Sequence, residues 1–107
     1  MATRPVTSVD MGSYVLHTWA DLDAADDGTP VFVGGAKSLV WQIIGGTSSD
    51  LEGSNDGGTT WAALYDSAGV ITSDEVPGFV VVRDAPALVR PAGVAGANMK
   101  IVLAVTR

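Results

Sequence analysis

Residues 99–106 alternate: Met99, Ile101, Leu103 and Val105 fall on one side of an extended chain, Lys100 and Thr106 on the other. A period of two marks a strand with one face buried, and it does not suit a helix, whose own period is 3.6. Along the 107 residues no apolar stripe of helical length and period appears. Short apolar runs recur instead, over 13–22, 31–33, 38–44, 51–54, 61–65, 79–83, 87–90 and 99–107, with turn-forming clusters between them. That spacing predicts seven to nine short strands and an all-β class: a small antiparallel β-sandwich or barrel, jelly-roll-like. Pro91 cannot donate to a ladder, so the run 87–90 is expected to close there.

Thirteen Gly and five Pro suit a turn-dense β protein. Clusters 23–30, 66–69 and 74–78 read as turns, and 70–72 as a short extended piece. Residues 1–12 are polar, carry Pro5 and Gly12, and read as an extended N-terminal arm ahead of a single domain over 13–107. Such an arm either frays or docks on a partner.

One local motif is sharp. Ser54, Asp56, Gly58, Thr60 and Trp61 fit the spacing Ser-x-Asp-x-Gly-x-Thr-Trp, the Asp-box pattern. Asp56 can accept from the N–H groups of the turn, Gly57 and Gly58 supply positive φ, and Trp61 can fold back over the hairpin. Sialidase propellers repeat this pattern. Here it occurs once, on a short chain with no arginine triad, so it fixes structure rather than chemistry.

Catalytic and cofactor chemistry finds little to stand on. There is no cysteine, which removes disulfides, thiolate metal sites and Cys nucleophiles. His17 is the only histidine and has no Ser-His-Asp or metal-ligand spacing around it. The acidic group Asp21, Asp23, Asp26 and Asp27 lacks the ligand spacing of a calcium loop and reads as turn chemistry. Gly34–Gly35 and Gly45–Gly46 have no following helix or lysine, so they cradle no phosphate. Glu52 and Glu75 alone do not make a glycosidase pair. No enzyme activity, metal or cofactor is expected.

A net charge of −6 with no basic stripe argues against nucleic acid and against an anionic membrane surface. No apolar run is long enough for a signal peptide or a membrane span. In 38–44, Leu39, Trp41 and Ile43 share one face while Val40 and Ile44 flank Gln42 on the other. A strand apolar on both faces is central in a sandwich or covered by another subunit. Val40, Trp41 and Ile44 are therefore candidate interface residues, with Arg4, Pro5 and Val6 of the arm beside them. Trp19, Trp41 and Trp61, with Tyr14 and Tyr65, serve either as core or as a stacking platform for sugar rings.

The order of features resembles a family of small proteins encoded among the head genes of tailed bacteriophages, the capsid decoration or cement proteins. The pieces are Thr18–Leu22 followed by an Asp-Gly turn, Pro30–Phe32, Trp41–Gly46, Leu51–Trp61, Leu88–Pro91 and the final strand ending at Arg107. The resemblance covers roughly residues 13–107. It implies a virion protein, made in the host cytoplasm, that binds the major capsid protein on the outside of the shell. Decoration subunits of this kind often self-associate about a threefold axis, so a trimer is expected. Gly-Ser-Asn-Asp-Gly and Trp runs are also similar to those of discoidin-like, galactose-binding sandwiches. That keeps a glycan-binding module, or a minor tail or adaptor component, as the alternative.

Overall fold

The computed structural model describes residues 2–66, 69–70, 78–82 and 85–107. The turns expected around 67–68 and 74–77, and most of the extended piece at 70–72, lie outside them. Among the described residues there is no helix, and thirteen strands follow in order. They are β1 (Thr3–Arg4), β2 (Val6–Asp10), β3 (Tyr14–Leu22), β4 (Asp27–Gly28), β5 (Val31–Phe32), β6 (Ser38–Ile44) and β7 (Ser48–Ser54). After these come β8 (Ala62–Ala63), β9 (Tyr65–Asp66), β10 (Gly69–Val70), β11 (Gly78–Val82), β12 (Leu88–Ala95) and β13 (Met99–Thr106).

Two antiparallel sheets make the sandwich. The larger has the order β11-β6-β13-β3-β2, and the smaller has β5-β12-β7-β8. Taking β3, β5, β6, β7, β8, β11, β12 and β13 in turn, the chain changes sheet at every step except the β7–β8 hairpin, which is jelly-roll order. Two short pairs complete the set: β1 with β4 in parallel, and β9 with β10. The inner faces bury Trp19, Leu22, Leu39, Trp41, Ile43, Leu51, Val89, Met99, Ile101 and Leu103. Trp19 and Trp41 stack at 5.8 Å between centroids, with ring planes 20° apart, at the centre of the core.

A bulge explains why β3 carries apolar residues at both parities. Ile101 faces Trp19 and Met99 faces Leu22, so Ala20 and Asp21 together oppose Lys100. Asp21 takes φ 57° there. The extra residue lets Trp19 and Leu22 both point inward although three positions separate them.

Two sequence expectations need correction. The strand beginning near Ala87 does not close at Pro91: β12 continues through it to Ala95, with Pro91 opposite Leu51. Its β5 neighbour pairs only with Leu88 and Val89, so from Arg90 onward one side of β12 has no ladder partner in the sheet and a missing N–H costs nothing there.

The N-terminal segment is extended, but it is docked on its own domain. β2 pairs with β3 along its whole length, from Val6 opposite Trp19 to Asp10 opposite Val15. β1 pairs with β4 and is held by Asp26, which is 3% exposed. The Asp26 carboxylate accepts from Ala2 N, Arg4 Nε and Asp23 N at 2.9, 2.6 and 2.9 Å. An acidic turn and a single arginine thus supply what polar composition alone does not reveal.

Candidate functional site: an aliphatic sheet face

The outward side of the larger sheet is built by the same alternation that builds the core. Residues opposite one another across antiparallel strands share a face. The pairings Val9–Leu16, Leu16–Ala104, Ala104–Val40 and Val40–Val81 therefore line up one residue from each of five strands in a single row. Every member is aliphatic. Val9 and Val81, at the two edges, are 50% and 51% exposed; Leu16, Val40 and Ala104 between them are half-buried. Val102 lies one row away on β13 opposite Gln42, and Ile44, 38% exposed, lies a further row along β6 opposite Lys100. At about 4.8 Å per strand the row is roughly 20 Å long. A solvated sheet face is ordinarily polar, so an unbroken aliphatic row marks this face as a candidate contact surface.

The sequence-predicted interface residues divide on this geometry. Val40 and Ile44 are on the outer face. Trp41 is not: it is 0% exposed, because its parity on β6 is that of Leu39 and Ile43. Its Nε1 has no hydrogen-bond partner among the described residues. Arg4 is committed to Asp26 and Asp23, Val6 packs on the core, and Pro5 is exposed. Leu16, Val81 and Ala104 were not singled out from sequence, since each looks unremarkable until the register sets them in line. Alternation within 14–17 and 101–105 was the available signal, but register was needed to use it.

The hairpin motif ties the other sheet. Ser54 Oγ donates to Asp56 Oδ1 at 2.7 Å and accepts from Gly58 N at 3.1 Å, while Thr60 N donates to Asp56 Oδ1 at 2.9 Å. Gly57 and Gly58 have φ 75° and 89°. The Thr60 N–H, then the hydroxyls of Ser54 and Thr60, push the Asp56 carboxyl down to about 2. Trp61 lies against Gly58 and carries the Arg90 guanidinium 4.3 Å above its ring; Arg90 in turn pairs with Glu52 at 2.9 Å. These groups are engaged with each other and fasten the hairpin.

His17 accepts or donates at Nδ1 to Ser8 Oγ at 2.7 Å, and burial holds its pKa below the ordinary value. Asp23 accepts from Arg4 and from Asn98 N, and Asp27 from Gly93 N, so the acidic loop is spent on fastening the arm and β12. Among the described residues no three His, Asp or Glu side chains group as a metal site. None of the helices needed to cross a membrane is present among them either.

No protein-family model matches the sequence, and no curated protein sequence does. Solved structures do share the fold. The SPBc2 prophage-derived protein YomS aligns over 92% of this chain and 99% of its own, at 12% identity and a TM-score of 0.59. An RmlC-like cupin protein from Desulfovibrio desulfuricans covers 94% of this chain and 79% of its own, at 12% identity and 0.57. A cupin domain from Bordetella pertussis Tohama I covers 100% and 99%, at 8% identity and 0.55. At such identities the likeness is one of fold alone: the chain shares an all-β sandwich or barrel architecture with these proteins.

Proposed function

We propose that this chain is a bacteriophage virion structural protein, a decoration subunit that lies on the outside of the capsid shell and stabilises it. The aliphatic row Val9–Leu16–Ala104–Val40–Val81 carries this reading, with the coat protein of the shell as its occupant. The interior of the jelly roll is filled by stacked Trp19 and Trp41, and the hairpin carboxylate is tied up locally, which fits adhesion better than catalysis. A prophage-derived neighbour of matching length is consistent with a phage source.

A row about 20 Å long and one residue wide covers on the order of 100 Å², small beside the roughly 800 Å² per partner of a standard stable interface. A single copy would therefore hold weakly, and many copies on a lattice, or an oligomer, would hold by avidity. Self-association as a trimer belongs to the same reading and is checked by native mass.

The experiment is a comparison of purified shells with and without the protein. Co-sedimentation at a copy number comparable to the coat protein, and a higher melting temperature for the decorated shell, are the expected results. Shells that melt identically, or a particle carrying only a few copies, would overturn the assignment.

A further inference from the structure

Beyond adhesion, a second feature lies where the chain crosses from the smaller sheet to the larger one. Residues 32–36 pass over the ends of β3 and β13 and leave a cavity of about 330 Å³. That is at the lower end of the range for small-ligand sites. Its apolar lining includes Phe32, Val33, Val15 and Val105; its polar lining is His17 and Arg107.

Phe32 is 70% exposed, the most exposed large apolar side chain among the described residues. Its ring tip rests on Gly34, where a Cβ would stand only 2.8 Å from Cζ. Glycine is thus what lets the ring lie there. The polar residues are held from behind. Ser8 Oγ engages Nδ1 of His17, and burial holds the imidazole pKa below its ordinary value. Arg107 Nη2 pairs with Asp10 at 2.8 Å and Nη1 donates to Gly12 O at 3.1 Å. The Arg107 guanidinium therefore lines the cavity with its charge balanced by Asp10 from outside the lining.

We propose that this cavity is a binding site for a neutral pyranose ring. A pyranose has an apolar C–H face and a rim of hydroxyls that both donate and accept. The phenyl ring of Phe32 matches the first, and His17 with Arg107 matches the second. An acidic sugar fits less well, since Arg107 is already neutralised and the chain carries a net charge of −6. The tryptophans named as sugar platforms are unavailable: Trp19 and Trp41 are buried, and Arg90 covers Trp61. Among the described side chains, the exposed aromatic ring is that of Phe32.

The test is an amide ¹H–¹⁵N titration of the full chain with glucose, galactose, mannose, N-acetylglucosamine and, as the acidic probe, glucuronate. At least one neutral sugar should give saturable shifts with a millimolar Kd, centred on residues 15, 17, 32–36 and 105, and glucuronate should bind more weakly. Phe32→Ala should weaken binding about tenfold or more with the melting temperature unchanged, because the side chain removed is mostly in water. Silence with every neutral sugar, shifts that survive Phe32→Ala, or a preference for glucuronate would each reject the site. Shell binding by Phe32→Ala separates this result from the decoration reading, since Phe32 is not in the aliphatic row.

Discussion

Arg4 Nε donates to the buried carboxylate of Asp26 at 2.6 Å, and through that bond β1 is pinned beside β4. Asp27 N and Thr29 N donate to the Ala2 and Arg4 carbonyls at 2.9 Å each, and they depend on the arm staying in place. Arg4→Ala and Asp26→Asn should therefore expose the amides of Asp27 and Thr29 to hydrogen exchange, while amides of β13 keep their protection. Arg4→Lys should not rescue, because one ammonium cannot serve Asp26 and Asp23 with the guanidinium's fork. Unchanged exchange at 27 and 29 would refute the pinning.

Acid should destabilise the fold in two stages. Burial lowers the pKa of His17, so its contribution is present above about 6.5 and falls away as pH drops through the lower folded value. Three carboxylates are also depressed: Asp26, first by the Asp23 N–H and then by Arg4; Asp10, first by Arg107; and Asp56, down to about 2. Their unfolded counterparts titrate near 3.9, so the unfolded chain takes up protons first and stability falls between about pH 4 and 2. Melting temperature against pH measures this, and Asp56→Asn should flatten the acid limb. A fold that gains stability below pH 4 would contradict it.

The two stacked indoles should respond differently to the same substitution. Trp19 Nε1 donates to Thr29 O at 2.9 Å, whereas Trp41 Nε1 has no partner among the described residues. Trp→Phe removes similar volume at both positions. Only at position 19 does it also orphan a carbonyl, so denaturant unfolding should show Trp19→Phe the costlier by about 1 kcal/mol.

Gly28→Ala tests a close approach rather than a turn. The added methyl would lie 2.6 Å from Cδ1 and Nε1 of Trp19 and 2.7 Å from Cγ of Pro91. The indole is fixed by Trp41 on one side and by its bond to Thr29, so it cannot give way. A loss of about 1–3 kcal/mol is expected, read as a fall in melting temperature.

Charging the ends of the aliphatic row should abolish shell binding without unfolding the subunit. Val9 and Val81 are each half in water, so Val9→Lys with Val81→Lys should leave the melting temperature within a few degrees of the parent. Co-sedimentation with shells should fall sharply. Retained binding would move the contact to another face.

The fold class was legible because alternation is a local signal: β6 runs Ser38–Ile44, the span the sequence marks, and β13 matches its pattern residue for residue. What escaped depends on partners far along the chain. Pro91 looks like a strand end until β5 is seen to stop short of it. Trp41 resembles an interface residue because a two-sided strand does not say which face holds the core. The docking of residues 2–4 needs Asp26, twenty-two positions from Arg4, and no periodicity links the two. Of the aliphatic row, Val40 could be named in advance. The others became a surface only through register.

That row crosses every strand of the larger sheet, so a partner seated on it touches segments from residue 9 to residue 81 and on to 104 at once. Peeling any one strand away would first have to break that contact. Attachment and folding are then linked in both directions. On the proposed reading the subunit would steady its support, and the support would in turn guard the subunit against heat, denaturant and proteases.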